Sequence, residues 1–468
     1  MTTTRFCPSP TGYIHLGNAR TALFNHLFAQ QTHGVFLFRI EDTDRARFQQ
    51  DYVDHLLEDL RWLGLQWSEG PGCEVPEHAP YFQSQRQAIY DKYYQQLIEK
   101  NHAYPCFCTE QQLAYARKAQ QRAGEPPRYP GTCASLSPAE VEKKYALGLK
   151  PTLRFRLPRN QPIVFDDLVK GQQIFNSTDI GDFIIRRADG TASFMYCNAL
   201  DDALMGVTQA MRGDDHLTNT PRQLMILKAL DLPCPEYGHI SLILSATSGP
   251  LSKREGSWSI RELREQGYFP LAIVNYLARL GHYYESTAYM TIAELAAQFS
   301  TNNLSKAPAR FDENQLFYWQ KEAVARADKA SFLRWMGASA ALIPESLQEQ
   351  FITAIKPNVM LPSEATLWAK ALFDETLVYE EEARDVIKQA PALFWSSAIT
   401  AVNQAGTDFK AVSEHIKNTL GIKGKPLFSP LRAALTGHSH GPEMQLVVDL
   451  LGKERLLNRL QQAAAEQE

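Results

Sequence analysis

The sequence lacks long apolar runs, a disulfide pattern and a strong net charge. No apolar stretch approaches the roughly 20 residues that a membrane-spanning helix needs, and the opening residues MTTTR lack the apolar segment of a secretion signal. The seven cysteines of the 468-residue chain are too scattered for a disulfide framework and suit a reducing compartment. We therefore expect a cytoplasmic protein that does not enter a membrane.

Composition gives little information about partners. A formal net charge of −4 provides no general attraction to a polyanion, so a nucleic-acid site must be a local basic surface. The cationic run from Lys306 to Arg310 is one candidate surface, and an ordinary solvated face is the alternative. Because single hydrophobic cores stop growing at about 250–300 residues, the length predicts two to four domains.

The opening of the chain predicts a strand, a loop, a helix and a second strand. Prolines and glycine form a turn-forming run at residues 8–12, and Leu23 and Leu27 have the four-residue spacing of a helix. The nearly continuous apolar run at 35–40 is typical of a strand buried on both faces of a parallel sheet. This order predicts a βαβ unit.

Two later regions have different patterns. A cysteine-bearing segment after residue 104 leads into β-like runs at 152–157 and 182–187, which predict an inserted α+β subdomain. Beyond about residue 307 helical spacing dominates, as in Ala323–Leu333, Ser363–Phe373 and Met444–Leu460. The predicted fold class is α/β, with a Rossmann-type doubly wound parallel sheet, an inserted α+β subdomain and an all-α C-terminal region.

Two short motifs indicate a phosphate site. His15-Leu16-Gly17-Asn18 lies where a loop enters a helix, and helix N-termini offer free N–H groups to phosphate oxygens. Far along the chain, Lys253 and Arg254 are adjacent cations in a loop rich in glycine and serine. The plain alternatives are a histidine and glycine that merely begin a helix, and a solvated surface loop.

A cysteine cluster indicates a metal site. Cys106, Cys108 and Cys133 place three thiols in a short, loop-rich segment, and zinc favours tetrahedral sulfur ligands. The Tyr129 phenolate or a water molecule is the candidate for the fourth ligand. Three reduced thiols without a metal are the alternative.

Taken together, the two phosphate motifs resemble the paired "HIGH" and "KMSKS" signatures of class I aminoacyl-tRNA synthetases. Longer sequence segments around and beyond these motifs resemble those of bacterial glutamyl-tRNA synthetases, and the resemblance covers essentially the whole chain. The segments that carry this resemblance are Pro8–Arg20, Phe38–Asp44, Met211–His216, Asn219–Gln223 and Pro430–Gly437.

The resemblance implies a glutamate–tRNA ligase. Such an enzyme uses ATP with Mg²⁺ to convert L-glutamate to glutamyl-adenylate, and then transfers glutamate to the 3′ end of tRNA(Glu). The implied catalytic residues are His15, Lys253 and Arg254. The implied ATP-binding residues are His15, Gly17, Asn18, Asp215, Ser252 and Lys253. A monomer is expected, and zinc is expected in the inserted segment because some relatives carry it there.

The resemblance also implies the glutamate-binding residues, which are Arg5, Ser9, Glu41, Asn198 and Arg212. Planar guanidinium groups suit carboxylates, so Arg5 is expected to face the side-chain carboxylate and Arg212 the α-carboxylate, with Glu41 balancing the ammonium. The plain alternative for Glu41 is a surface pair with Arg39.

The implied domains follow the same family pattern. Residues 1–105 and 191–240 are expected to form the two halves of the Rossmann catalytic domain, with an acceptor-binding insertion at 106–190. Residues 241–306 are expected to hold the KMSKS-type loop and a stem-contact region, and 307–468 to bind the anticodon.

The chain departs from the family pattern at Pro250, where a lysine is usual, at Glu255, where a histidine is usual, and at Phe194, where relatives commonly have tyrosine. Ser135 occupies the place of a histidine near the cysteine cluster. The departures at Pro250, Glu255 and Phe194 leave open a catalytically weak paralogue that only binds tRNA or glutamate. An enzyme that charges tRNA(Gln) with glutamate also stays open, because discrimination between the two tRNAs depends on the helical region, whose contacts the sequence does not assign. A short relative that modifies a nucleoside is disfavoured, because it lacks the helical region.

Overall fold

The structure is a computed structural model that describes residues 1–44, 48–245 and 258–467. The chain divides into two compact units, which are described separately. Unit 1 comprises Met1–Leu263 and Ile273–Glu313, and unit 2 comprises Arg264–Ala272 and Asn314–Glu468. The finer boundaries expected from the sequence stay a prediction.

Eleven strands are present among the described residues, and all of them lie in unit 1. Their bounds are β1 Thr3–Phe6, β2 Val35–Phe38, β3 Ala103–Cys106, β4 Thr152–Phe155, β5 Pro162–Asp167, β6 Gly171–Asn176, β7 Phe183–Arg186, β8 Gln209–Gly213, β9 Glu236–Ile240, β10 Ile243–Leu244 and β11 Ala309–Arg310.

The first 300 residues contain eleven helices among those described. They are α1 Leu16–Gln31, α2 Gln50–Trp62, α3 Gln87–Glu99, α4 Glu110–Arg122, α5 Pro138–Ala146, α6 Ser177–Ile180, α7 Phe194–Leu204, α8 Thr220–Ala229, α9 Ile260–Gln266, α10 Pro270–Arg279 and α11 Ile292–Ala297.

The remaining helices follow in the C-terminal part of the chain. They are α12 Glu313–Arg326, α13 Lys329–Met336, α14 Gln348–Ile355, α15 Pro362–Phe373, α16 Glu381–Lys388, α17 Phe394–Ala405, α18 Phe409–Leu420, α19 Lys425–Thr436 and α20 Met444–Gln467. No helix among the residues described is long and apolar enough to cross a bilayer.

A six-stranded sheet forms the centre of unit 1, in the order β2-β1-β8-β9-β5-β6. The pairs β1/β2, β1/β8, β8/β9 and β5/β9 are parallel, and only the β5/β6 hairpin is antiparallel. The chain moves outward from β1 in one direction to β2 and in the other to β8 and β9. Since parallel crossovers are right-handed, this reversal is the topology of a doubly wound sheet, as predicted.

The predicted βαβ opening is confirmed. Strand β1 pairs in parallel with β2 in the register Thr3↔Val35 to Phe6↔Phe38, and α1 connects them. Phe36, Leu37 and Phe38 are buried, which explains the continuous apolar run of a strand covered on both faces. The proline-rich loop and the start of α1 therefore lie at the carboxyl end of β1.

The segment between residues 104 and 190 contributes to two sheets. The predicted runs at 152–157 and 182–187 form β4 and β7, and β4 lies between β3 and β7 in a three-stranded antiparallel sheet. The β5/β6 hairpin instead joins the central sheet through the pair Asp167↔Tyr237. Asp167 is thereby placed beside β9.

Unit 2 is helical among its described residues, as predicted for the C-terminal region. Its core consists of apolar side chains from α12 to α20, including the fully buried Phe332, Phe351 and Phe394. The expectation of helix from about residue 307 was slightly too early, because Ala309 and Arg310 form β11 and pair with β10 in unit 1. An isolated two-residue strand leaves too short a pattern to be read from the sequence.

Candidate active site

A cavity of about 550 Å³ opens in unit 1 at the carboxyl ends of β1 and β8. From β1 the chain continues to β2 on one side of this strand pair, and from β8 it continues to β9 on the other side. In doubly wound sheets ligands bind outside the carboxyl ends of the strands at such a switch point. The fold therefore places a ligand site here independently of any motif.

Every described residue that the sequence singled out for glutamate or ATP lines this cavity. These residues are Arg5, Ser9, His15, Gly17, Asn18, Glu41, Asn198, Arg212 and Asp215. The chain brings them together from five places, namely β1, the loop after it, the start of α1, the segment after β2, and the region from α7 to β8 and beyond.

Arg5 belongs to a buried ion-pair network. Its Nε and Nη2 lie 3.4 Å from Asp202 Oδ2, and its Nη1 donates to the Met211 carbonyl at 3.2 Å. Arg39 Nη2 forms a shorter bond of 2.6 Å to Asp202 Oδ1. Since Arg39 is fully buried, the alternative of a surface pair between Arg39 and Glu41 is wrong.

A second carboxylate supports the same network from α7. Asp201 Oδ1 accepts from Arg86 Nε at 2.7 Å, and Asp201 Oδ2 accepts from the Tyr90 hydroxyl at 2.7 Å. Three guanidinium groups, those of Arg5, Arg39 and Arg86, thus share two carboxylates. This network, of which only Arg5 lines the cavity, has one more positive than negative group.

Arg212 adds a further cation to the wall. Its Nε lies 3.2 Å from His239 Nε2 and its Nη2 donates to the Thr220 hydroxyl at 2.8 Å. Nη1 is buried and has no hydrogen-bond partner among the residues that the structure describes. Burial, together with the charge of Arg5, lowers the pKa of Arg212 to about 10, so the group stays protonated at neutral pH.

Glu41 is one of two acidic residues among those that line the cavity, and Asp215 is the other. Burial raises the pKa of Glu41 to about 7, while the Arg39 charge and the nearby Asn198 amide act in the opposite direction. Asn198 also accepts from Arg39 Nη2 at 3.3 Å. A bound ammonium group would favour the ionised carboxylate, since an opposite charge nearby stabilises the charged form.

The residues at the start of α1 also line the cavity. His15 occupies the N-cap position with an extended backbone and no side-chain capping bond, so the first N–H groups of the helix are not capped by it. A Cβ on Gly17 would lie 3.2 Å from two atoms of the His15 ring. Gly17 therefore leaves room for the ring beside the helix N-terminus, where phosphate is favoured.

Lys253, Arg254 and Ser252 lie outside the described residues, as do Pro250 and Glu255. The chain on both sides of them is described. Ile243 lines the cavity before the segment, and Ser259 forms a β-bridge with His15 after it. Both flanks are thus attached to the walls of the same cavity.

Phe194 also lines the cavity, where its ring stacks on His216 at 5.1 Å between centroids. Burial lowers the pKa of His216 to about 4, with the Arg212 and Arg5 charges acting in the same direction and Asp215 against them. The ring is therefore neutral at pH 7. A phenylalanine at this position contributes contact area without a hydroxyl.

The three cysteine thiols converge as the sequence predicted. Cys106, Cys108 and Cys133 have their sulfur atoms within 4.8 Å of one another, and Cys108 Sγ lies 3.6 Å from Cys133 Sγ. The Tyr129 hydroxyl is 3.3 Å from Cys106 Sγ and 3.6 Å from Cys108 Sγ. Burial raises the pKa of Cys106, but bonds from Tyr129 and Arg154 outweigh it and bring it to about 7.

Sequence analysis missed the anions behind the cavity, Asp201 and Asp202, and the pair Asp167 and His239. One signal was present for the first two. In the sequence FMYCNALDDAL, Asn198, Asp201 and Asp202 have the spacing of one helix face amid apolar residues, and buried carboxylates need partners. No comparable pattern marks Asp167 and His239.

Comparison with known proteins agrees with this geometry. Residues 1–318 match the family described as "tRNA synthetases class I (E and Q), catalytic domain", and residues 332–464 match "Anticodon binding domain". The chain thus has the architecture of a class I tRNA synthetase.

Individual relatives narrow the assignment. "Glutamate--tRNA ligase 2" of Coxiella burnetii is 53% identical over 464 residues, covering 99% of this chain and 100% of the relative. "Glutamate--tRNA ligase 2" of Nitrosococcus oceani is 54% identical over 459 residues, covering 98% of this chain and 97% of the relative. The chain belongs to the glutamate–tRNA ligase family.

Solved structures extend the likeness to the fold of the whole chain. A glutamate tRNA ligase from Elizabethkingia meningosepticum, crystallised in complex with its amino acid, superimposes with a TM-score of 0.89 at 26% identity and covers 100% of both chains. The glutamate–tRNA synthetase of Elizabethkingia anophelis gives a TM-score of 0.88 at 27% identity, covering 99% of each chain.

Proposed function

We propose that the cavity binds L-glutamate and ATP side by side and that the protein charges tRNA(Glu) with glutamate. The observation that carries this proposal is the pair Arg5 and Arg212, whose buried guanidinium groups line one cavity together with the carboxyl group of Glu41. A ligand with two carboxylates and one ammonium complements this set of charges. Glutamine offers only one carboxylate.

Each glutamate-binding residue has a proposed role. Arg5 receives the side-chain carboxylate, because its bonds to Asp202 are long and leave donors for a stronger partner. Arg212 receives the α-carboxylate through Nη1. Glu41 holds the ammonium, and Ser9 and Asn198 contribute polar contacts.

The ATP subsite is proposed at the start of α1. His15, Gly17 and Asn18 approach the phosphates, and Asp215 lines the same cavity. Ser252, Lys253 and Arg254 complete the subsite, since described residues on both sides of their segment lie at the cavity. Mg²⁺ accompanies ATP and offsets phosphate charge.

Catalysis in this arrangement rests on positioning and charge. A glutamate α-carboxylate oxygen attacks the α-phosphorus of ATP, and the bond to diphosphate breaks. A terminal ribose hydroxyl of tRNA then attacks the carbonyl carbon of the adenylate, and AMP leaves. His15 and Lys253 stabilise the charge that grows on the phosphate oxygens in the first step, so no covalent enzyme intermediate is required.

Recognition of tRNA is proposed to involve both units. The helical unit matches an anticodon-binding family, and single-stranded bases are read by stacking and by arginine. In unit 1, Lys306 and Arg310 are exposed and offer cations to phosphates, which position an RNA without reading its sequence. The seven free thiols suit the proposed cytoplasmic location, and a monomer is the proposed state.

Zinc is proposed at the cysteine cluster. Two sulfurs bound to one tetrahedral zinc at about 2.3 Å lie about 3.8 Å apart, and the 3.6 Å between Cys108 and Cys133 is close to that value. Cys106 and Tyr129 approach the same point. Thiolates supply most of the binding energy of such a site, which would brace a segment with little core of its own.

We expect the purified protein to carry about one zinc per chain, measured by elemental analysis after purification without chelator. Replacing Cys106 and Cys108 together by serine should abolish the zinc. The matched control replaces the exposed Cys73 and Cys234 by serine and should retain it. Wild-type protein without zinc would contradict the proposal, and Tyr129 would then be a packed aromatic residue.

Ligand binding tests the cavity assignment directly. A ligand that binds only the folded state raises the melting temperature, by an amount that grows with concentration over Kd. In the presence of a non-hydrolysable ATP analogue, L-glutamate should raise the melting temperature above its value with the analogue alone. L-glutamine at the same concentration, with the same analogue, should give little further shift. An equal shift with both amino acids would remove the proposed roles of Arg5 and Arg212.

A further inference from the structure

A chain of buried side chains lies behind Arg212, outside the cavity lining. It runs from Asp167 at the end of β5, through His239 on β9, to Arg212 on β8, with Thr220 at the start of α8 beside it. His239 Nδ1 lies 2.5 Å from Asp167 Oδ2, and His239 Nε2 lies 3.2 Å from Arg212 Nε and 3.0 Å from the Thr220 hydroxyl. All four residues are buried.

The direction of every hydrogen bond in this chain follows from the groups involved. A guanidinium group can only donate, so His239 Nε2 is the acceptor from Arg212 Nε. The Thr220 hydroxyl accepts from Arg212 Nη2, and its own proton is then directed at His239 Nε2. The single ring proton must therefore lie on Nδ1, where it is donated to Asp167.

Asp167 is held in place from the other side. Its Oδ1 accepts from the backbone N–H groups of Val169, Lys170 and His239 at 2.9, 2.8 and 3.2 Å. Burial raises the pKa of Asp167, but the bonds from His239 and Lys170 outweigh it and hold the pKa below its usual value. An ionised Asp167 fixes the tautomer of His239, which in turn fixes Arg212.

The three nitrogen atoms of the Arg212 guanidinium group thus have different partners. Nε and Nη2 are occupied by His239 and Thr220, and Nη1 has no partner among the described residues although Arg212 lines the cavity. Rotation of the guanidinium would break both bonds. A side chain fixed in this way meets a carboxylate without loss of its own freedom, which favours binding.

We propose that Asp167, His239 and Thr220 are positioning residues that orient Arg212 toward the α-carboxylate of glutamate. This inference rests on the proposed function. His239 does not line the cavity, so it acts through Arg212 and not on the substrate. The arrangement also makes the β5/β6 hairpin part of the amino-acid site, since Asp167 belongs to that hairpin.

Two replacements of His239 separate positioning from structural support. The carbonyl of His239→Gln reaches the place of Nε2 and can still accept from Arg212 and Thr220. His239→Asn keeps a donor near Asp167 and loses the acceptor for Arg212. We expect His239→Asn to raise the KM for glutamate about tenfold or more, with kcat and the KM for ATP within about threefold of wild type.

In the same charging assay, His239→Gln should keep the KM for glutamate within about threefold of wild type. A general loss of stability would affect both variants, both substrates and kcat alike. A normal KM for glutamate in His239→Asn, or an equal rise in His239→Gln, would overturn the positioning role. Wild-type protein that attaches no glutamate in this assay would instead contradict the proposed function.

A second pair of variants decides the matter if His239→Asn does not fold. Thr220→Val removes the hydroxyl at nearly constant volume, whereas Thr220→Ser retains it. The valine variant should raise the KM for glutamate about tenfold or more, by about the effect of one charge-assisted bond, and the serine variant should match wild type. Equal kinetics for both would overturn the proposal.

Discussion

Replacing Arg5 by alanine is expected to lower kcat/KM for glutamate by about two to four powers of ten. Removing one partner of a buried charge pair costs about 3–5 kcal/mol, which corresponds to a loss of this size. Charge-assisted bonds to a second carboxylate are available to glutamate and not to glutamine. The kcat/KM for glutamine, which is already low, should therefore fall much less.

Steady-state charging of one tRNA with each amino acid measures this change. The fold should survive the substitution, because Asp202 keeps its 2.6 Å bond to Arg39. Arg5→Lys is the matched control, since it keeps the charge but not the planar fork of donors, and it should fall between wild type and alanine. Equal losses for the two amino acids would show that Arg5 supports the fold and not the side-chain carboxylate.

Replacing Lys253 by alanine is expected to lower the rate of charging at least about a hundredfold, while tRNA binding stays within a few fold. The ammonium would act on charge that develops only in the transition state, so its loss affects the rate more than ground-state binding. Rapid-quench measurement of adenylate formation, with tRNA affinity determined separately, distinguishes the two effects.

One further variant in the same segment provides a control. Pro250→Lys restores the cation usual in the family and should raise the rate, by up to about one or two powers of ten if a phosphate contact is missing. An unchanged rate would indicate that Arg254 already compensates. Near-normal turnover in Lys253→Ala would remove the lysine from the mechanism.

The local patterns of the sequence predicted the elements around the cavity well. The run at 35–40 and the helical spacing after Gly12 defined β2 and α1, because burial on both faces and the 3.6-residue repeat leave direct marks in a sequence. The loop-to-helix position of His15 followed from the same patterns. Where the cavity opens depends on the order of β1 and β8 in the sheet, which no local pattern contains.

The interactions that hold the cavity in shape were not predictable in this way. Arg5 and Asp202 are 197 residues apart, and Asp167 and His239 are 72 residues apart. Charged residues in an isolated sequence are more often solvated than paired. The β5/β6 hairpin has the same difficulty, because its pairing with β9 involves a distant strand and only one pair of residues.

The central claim is tested most directly by charging purified tRNA(Glu) and tRNA(Gln) separately with labelled glutamate and glutamine, in the presence of ATP and Mg²⁺. The account predicts ATP-dependent attachment of glutamate to tRNA(Glu), and no comparable attachment of glutamine to either RNA. Attachment of glutamate to tRNA(Gln) as well would identify the wider tRNA range as part of the activity. No attachment of glutamate to tRNA(Glu) by zinc-replete, folded protein would contradict the account.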